Sequence, residues 1–204
     1  MRKQLYFLVA VVFGFYAISC NNKAENEKPL VASESKPLSQ EELIKRGDYI
    51  VTTSGCADCH SPKVMTPMGP VADSTKMLSG HPANEPMPSM EASAGKPGGW
   101  IFMGPDVTSF VGPWGISYAA NLTPDSATGT GLWTEEQFIN TIRNGKHLGN
   151  GRDILPPMPW YVFRLKTDDD LKAIFAYLKS LPPISNRVPG PVTPPDLMKM
   201  ASKK

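Results

Sequence analysis

The sequence predicts an all-α domain with three main helices. Three amphipathic stretches support this prediction, and each follows a hydroxyl residue in position to cap a helix: Ser39, Thr134 and Thr167. Between the first and second stretches lies a Pro- and Gly-rich segment, 61–115, whose breakers leave no room for a further helix of useful length. We therefore expect a helical core with one long loop insertion.

The first helix begins with a capping box, because Glu42 follows Ser39 at the third position. We expect it to end near Ser54-Gly55, just before the next motif. Gly47 lies within it and costs helix stability, so this glycine either permits a close helix crossing or is merely tolerated; we favour the crossing. Apolar residues follow at helical spacing: Leu43, Ile44, Ile50 and Val51.

The pentad Cys56-Ala57-Asp58-Cys59-His60 follows directly and is typical of covalent haem attachment. Two thiols on one helical turn can add to the two vinyl groups of one porphyrin, and the next histidine can then reach the iron. A zinc half-site or a redox pair would also use C-x-x-C, but neither requires the histidine. The pentad predicts one covalent haem c, bound through Cys56 and Cys59, with His60 as an iron ligand.

The loop insertion is rich in apolar side chains despite its breakers. A long structureless segment inside a compact domain is often functional. We therefore expect an ordered loop that wraps over a haem face and also offers a partner surface. Its packing residues would be Met65, Met68, Met77, Leu78, Trp100, Ile101, Phe102, Met103, Phe110 and Trp114.

The second and third helices have clear boundaries. Gln137 completes a capping box with Thr134, and Gly145 ends that helix. Thr167 is followed by three aspartates, 168–170, which match the positive end of the helix dipole. The apolar stripes of these helices are Phe138, Ile139 and Ile142, then Leu171, Ile174, Phe175 and Leu178.

The chain begins with an export signal. A positive start, Arg2 and Lys3, precedes an apolar stretch at 5–18 that is shorter than the roughly 20 residues of a membrane span. Small residues before Cys20 resemble a lipobox, so we expect acylation of Cys20, with ordinary cleavage nearby or an uncleaved anchor as alternatives. The expected divisions are a signal peptide (1–19), a lipidated cysteine with a flexible tether (20–38), the cytochrome domain (39–188) and a Pro- and Lys-rich tail (189–204).

Cysteine count and charge agree with this division. The chain has three cysteines, so one for lipid and two for haem leave none for a disulfide. Its 21 basic and 19 acidic residues become 19 of each when Arg2 and Lys3 are removed. A formally neutral mature chain excludes the basic field of a nucleic-acid-binding protein.

The residues alone leave several candidates for the second axial iron ligand. Met158 is the leading candidate, because Pro156, Pro157 and Pro159 hold its loop in few conformations. His81, His147, another methionine or an open position remain alternatives. A methionine ligand favours electron transfer, whereas an open position favours ligand binding or catalysis.

Several motifs together resemble a known family: the pentad, Asn121-Leu122-Thr123-Pro124-Asp125, Trp133-Thr134, 156–160 and the helix at 173–181. The chain is similar to single-haem relatives of the cytochrome c subunits of membrane-bound alcohol and aldehyde dehydrogenases. The resemblance implies a cytochrome c fold, His60 and Met158 as axial ligands, and a contact of Gly47 with Tyr177 where the first and last helices cross.

Other residues are candidates for roles around the haem. The carbonyl of Pro70 is a candidate to orient the His60 ring. Candidate donors to the haem propionates are Trp133, Arg143, Trp160 and Tyr161.

We expect an exported electron-transfer protein rather than an enzyme, since no separate catalytic apparatus is evident. It would be lipid-anchored to a bacterial membrane on the periplasmic side, or soluble in the periplasm. There it would relay single electrons from a dehydrogenase towards an oxidase or another cytochrome. One alternative is a haem enzyme or gas- or peroxide-responsive protein with an open sixth iron position, aided by His81 or His147. Another is a fixed subunit of an oxidoreductase complex.

Overall fold

The computed structural model describes residues 37–85, 96 and 98–202. The predicted signal peptide, Cys20 and most of the predicted tether lie outside the described residues. In the described part the helices are α1 (Gln40–Thr53), α2 (Cys56–His60), α3 (Glu135–Asn144), α4 (Trp160–Phe163), α5 (Asp168–Ser180) and α6 (Pro194–Ala201). The strands are β1 (Lys63–Thr66), β2 (Gly69–Ala72), β3 (Phe102–Met103), β4 (Ser109–Gly112) and β5 (Gly115–Tyr118), and short 3-10 turns occupy Ser74–Lys76 and His147–Gly149.

The three main helices begin where their caps predict. Ser39, Thr134 and Thr167 each accept a hydrogen bond from the backbone three residues on, and each forms a complete capping box. Gly145 ends α3 in the left-handed conformation, with a φ of 63°. These boundaries therefore follow from local hydrogen bonding.

Helix α1 crosses α5 at Gly47. A Cβ built on this glycine would lie 2.0 Å from the carbonyl oxygen of Ala173 and 2.7 Å from the Cβ of Tyr177. Only a residue without a side chain permits this approach. The predicted close crossing is confirmed, including the contact with Tyr177.

The main core lies between α1, α3 and α5. Phe138 of α3 stacks on Phe175 of α5, with ring centroids 5.2 Å apart. Leu78 reaches this core from the loop insertion and is almost fully buried. The other buried members are Ile50, Val51, Ile142, Leu171, Ile174 and Leu178.

The all-α prediction is wrong, because the insertion forms two antiparallel sheets. β1 pairs with β2, and a second sheet has the order β3-β4-β5. Glycines and prolines that were interpreted only as helix breakers lie instead at two hairpin turns. Gly69 and Gly115, with φ values of 109° and 96°, each follow a loop of two residues. Strands of two to four residues are too short for alternation to reveal them.

The insertion also does not pack as predicted. Met68 is 94% exposed and Trp100 is 80% exposed, and Met65, Ile101 and Met103 also face solvent. Leu78 and Phe110 are the buried exceptions. Most of the apolar side chains expected to cover a haem face therefore lie on the surface.

A second, smaller core joins the sheet to the end of the chain. Val192 pairs with Ile116 through two backbone hydrogen bonds, and Leu197 of α6 is 1% exposed against Val111 and Ile116. The sequence analysis did not predict this helix in the Pro- and Lys-rich tail. Within the described ranges, no helix is both long and apolar enough to cross a membrane.

Candidate haem site

A large cavity opens between the pentad helix, the main core and the loop that precedes α4. Its volume is about 1090 Å³, at the upper end of the usual range for ligand sites. Cys56, Cys59, His60 and Met158 all line it. Apolar side chains form much of its wall, including Val51, Phe110, Leu122, Phe138, Ile142, Phe163, Leu171, Ile174 and Leu178.

The two pentad thiols are half-buried and not joined in a disulfide. Burial raises the pKa of Cys56 to about 11, and burial together with Asp58 raises the pKa of Cys59. A redox pair needs a thiol whose pKa is lowered, so these values argue against that alternative. No other His, Cys, Asp or Glu of the described residues completes a metal cluster with the pair, which argues against zinc.

The orientation of His60 is fixed by a backbone carbonyl. Its Nδ1–H donates to the carbonyl oxygen of Ala120 at 2.8 Å, which leaves Nε2 as the nitrogen available to a metal. The prediction that Pro70 supplies this carbonyl is wrong, since Pro70 belongs to β2 and pairs with Met65. The peptide of residue 60 is held as well, because the N–H of Gly80 donates to the His60 carbonyl at 2.8 Å.

Burial is also the main cause of a lowered pKa at His60, with a further contribution from the nearby ammonium of Lys63. The imidazole is therefore kept neutral, the form that binds a metal.

Lys63 caps the end of the pentad helix. Its ammonium donates to the carbonyl oxygens of Asp58 at 2.8 Å, Ser61 at 2.6 Å and Ala57 at 3.3 Å. The carbonyls of Asp58 and Ser61 have no helical partner beyond the short α2, whereas the Ala57 carbonyl also accepts the N–H of Ser61. A cation at this end also complements the helix dipole. No local pattern around Lys63 indicates this role.

Replacing Lys63 with methionine is expected to lower the free energy of unfolding by about 1 kcal/mol, through loss of the three charged hydrogen bonds at a half-exposed site. Urea denaturation of the holoprotein measures this change. Lys45→Met is the matched control, because Lys45 makes a single exposed ion pair with Glu41. Equal losses in the two variants would contradict the capping role of Lys63.

Met158 lies in the proline-rich turn before α4 and is half-buried at the cavity wall. The turn is anchored to β5, because the Ser117 hydroxyl donates to the carbonyl oxygen of Pro156 at 2.5 Å. The other end of the turn is fixed by Trp160, whose ring packs directly against Gly145 in the space that a Cβ there would occupy. The structure thus brings Met158 and His60 to one cavity, as the sequence analysis expected.

The two remaining histidines differ in position. His147 lines the cavity, and its ring lies edge-on to Trp133 at 5.1 Å. Burial, assisted by the positive charge of Arg152, lowers the pKa of His147. His81 is not part of the lining and is buried against Tyr118 instead.

The candidate propionate donors are only partly brought together. Trp133 lines the cavity, whereas Arg143 is engaged with Asp168 and the Arg164 carbonyl. Trp160 and Tyr161 are absent from the lining. Sequence reasoning missed two exposed arginines at the cavity wall, Arg152 and Arg187, because isolated arginines in irregular segments form no motif.

The sequence is similar to cytochrome subunits of several bacterial dehydrogenases. Over 158 residues, 78% of this chain, the sequence is 27% identical to the fructose dehydrogenase cytochrome subunit of Gluconobacter japonicus. It is 29% identical over 66% of the chain to the gluconate 2-dehydrogenase cytochrome c subunit of Pantoea cypripedii. It is 30% identical over 68% of the chain to the cytochrome c subunit of the quinone-type alcohol dehydrogenase of Gluconobacter oxydans.

The chain is a relative of c-type cytochrome subunits. The resemblance inferred from the motifs is therefore confirmed. The matches cover 24%, 22% and 21% of these three relatives, so the chain spans less than a quarter of their length. No family model matches the sequence.

This relationship implies haem c as the cofactor, and the cavity fits that group. The thiols of Cys56 and Cys59 lie one helical turn apart. The His60 imidazole, whose Nδ1 is hydrogen-bonded to Ala120, and a thioether line the same apolar cavity. An imidazole and a thioether are ligands that haem iron binds, and thiols are the groups that add to the porphyrin vinyl groups.

Proposed function

We propose that the chain is a single-haem electron-transfer cytochrome. Cys56 and Cys59 would hold the porphyrin covalently, and His60 and Met158 would bind its iron. The observation that carries the proposal is that these four residues line one cavity, with His60 oriented by Ala120 so that Nε2 is free. When bound, the haem supplies reversible one-electron chemistry at its iron.

The roles of the surrounding residues follow from the same geometry. The carbonyl of Ala120 holds the Nδ1 proton of His60 and so fixes the tautomer that binds iron. The apolar wall excludes water and lowers the local dielectric constant, which favours the less charged reduced state. A thioether ligand from Met158 acts in the same direction, towards a higher reduction potential.

An optical and chemical test separates this proposal from its rival, a haem protein with an open iron position near His147. We expect the reduced holoprotein to have a six-coordinate spectrum that carbon monoxide does not change, and to keep its haem in acidic acetone. Extraction of the haem would contradict covalent attachment. Rapid binding of carbon monoxide would favour the rival function, in ligand sensing or peroxide chemistry.

Arg152 and Arg187 are proposed to hold the haem propionates at the cavity mouth. Replacing either with glutamine removes a positive charge that opposes oxidation of the iron, so we expect the reduction potential to fall. Potentiometric titration measures this change. Arg164→Gln is the control, because Arg164 lies over the Trp160 ring and not at the cavity wall. Equal shifts in all three variants would contradict a specific contact.

The cellular role is proposed from the sequence and from the relatives' names. We infer export through residues 1–19, acylation of Cys20, and attachment to the periplasmic side of a membrane. There the protein would pass electrons from a dehydrogenase to the respiratory chain, through an oxidase or another cytochrome, or serve as a subunit of an oxidoreductase complex. Its relatives are cytochrome subunits of dehydrogenases, which supports redox proteins as partners.

Cys20→Ala tests the anchor. The variant is expected to leave the membrane fraction and appear as soluble holoprotein with an unchanged spectrum, since the haem site lies more than thirty positions further along the chain. Retention of the variant at its full precursor mass would indicate an uncleaved anchor at 1–19, whereas retention after cleavage would contradict a lipid anchor at Cys20.

A further inference from the structure

A buried group of metal-ligating side chains lies outside the haem cavity. One ring nitrogen of His81 and one carboxylate oxygen each of Glu85 and Asp106 lie within 4.8 Å of one another. His81 is 3% exposed and Asp106 is 9% exposed, whereas Glu85 is half-buried. The three residues come from two separate loops, so the fold, rather than local sequence, brings them together.

In the part of the chain that the structure describes, the carboxylates of this group are held by hydrogen bonds rather than by cations, and both oxygens of Asp106 accept from Thr108. Among the described residues, neither Glu85 nor Asp106 forms an ion pair with a lysine or arginine. Burial and the carboxylate of Asp106 raise the pKa of Glu85, as expected for two acids held close together. Buried carboxylates are normally paired or bound to a metal.

His81 is held as a metal-binding histidine is. The Thr108 hydroxyl donates to Asp106, so Nδ1 of His81 donates to Thr108 at 2.7 Å and Nε2 keeps its lone pair. In the described part of the chain Nε2 has no hydrogen-bond partner. A hydrogen bond from the second ring nitrogen to a fixed acceptor, here the Thr108 hydroxyl, is the usual arrangement of a metal-bound histidine.

The backbone around His81 is anchored independently of the three ligands. The Asn186 side chain donates to the carbonyl oxygens of Ser79 and His81 and accepts from the N–H of Ala83. The N–H of His81 also donates to the carbonyl of Ala119 at 2.9 Å. His81 is therefore presented on a rigid segment before any ion binds.

We propose that His81, Glu85 and Asp106 form a second metal site that binds a divalent first-row transition metal such as Zn²⁺. One imidazole and two carboxylates suit such an ion, and a water molecule would complete four-fold coordination. Ligand bonds of about 2.1 Å place two ligand atoms at most about 4.2 Å apart, so the group must contract slightly. Glu85, the least buried of the three, closes this gap by rotating its side chain.

The site has a structural role beside the haem. The His81 ring lies 4.8 Å from that of Tyr118, which lines the haem cavity, and Gly80 holds the His60 carbonyl. An ion here would tie the loop that carries His81 to the loop that carries Asp106, next to the residues that orient His60.

The test is zinc titration of the chelator-treated holoprotein by calorimetry, with the thermal midpoint as a second readout. We expect saturable binding of one Zn²⁺ and a higher midpoint when zinc is present. Glu85→Gln, which keeps the shape of a half-buried side chain, is expected to weaken zinc binding at least about tenfold while leaving the haem spectrum unchanged. His81→Gln should abolish binding.

Glu136→Gln is the matched control, because Glu136 is an exposed acid on α3. The proposal is overturned if zinc does not bind saturably, or if Glu136→Gln weakens binding as much as Glu85→Gln. Saturable binding of Ca²⁺ without binding of Zn²⁺ would overturn the class of ion assigned.

Discussion

Alanine at position 47 is expected to lower the free energy of unfolding by about 3 kcal/mol or more. Its Cβ would lie 2.0 Å from a backbone oxygen of α5, which cannot rotate away as a flexible side chain could. Helices α1 and α5 would have to separate, which would open the core that lines the haem cavity. The gain of up to about 1 kcal/mol in helix propensity does not offset overpacking of this kind.

Tyr49→Ala provides the comparison, because Tyr49 is 70% exposed on the same helix and does not line the cavity. We expect its stability to remain within about 0.5 kcal/mol of the parent protein. Urea denaturation of both holoproteins, followed by far-UV circular dichroism, measures the difference. A Gly47→Ala protein as stable as Tyr49→Ala would contradict the close crossing.

The helices were predictable because their signals are local. A cap and an apolar stripe determine where each main helix begins and which face it buries, and neither depends on distant residues. Gly47 added one long-range contact, since a glycine inside a helix has few explanations other than close packing. The pentad likewise carries a local signal for haem attachment, because covalent attachment requires these residue types at this spacing.

The sheets were not predictable by the same means. Val64 and Val71 face each other across β1 and β2, yet the side chain of each is 44% exposed. Without a buried face such strands lack the alternation that reveals a half-buried sheet. Pairing rather than burial therefore defines the β1–β2 sheet, whereas β4 is buried at all four positions and shows no alternation for the opposite reason.

The parts of the site that were missed depend on long-range contacts. Ala120 orients His60 from sixty positions away through its backbone, so its side chain carries no signal. Arg187 reaches the cavity from the segment after α5, and only the fold reveals that position. Leu197 illustrates the same limit, because a tail rich in proline still supplies a fully buried side chain.

Replacing Met158 with alanine is expected to open the sixth position of the haem iron. Met158 is proposed as that ligand because it shares the cavity with His60 and its turn is anchored to Ser117. Alanine cannot reach the iron, so carbon monoxide should bind the reduced variant. The reduction potential should fall by on the order of 0.1 V, a fraction of the roughly 0.8 V span that axial ligands control.

Met68→Ala is the matched control, because this methionine is 94% exposed on the β1–β2 turn and should change neither spectrum nor potential. His147→Ala tests the other nitrogen at the cavity wall. If Met158→Ala kept the parent spectrum while His147→Ala opened the iron, His147 would be the ligand and the potential would reflect two imidazoles. A thioether ligand requires the opposite result, because the iron coordinates only the side chain whose removal exposes it to carbon monoxide.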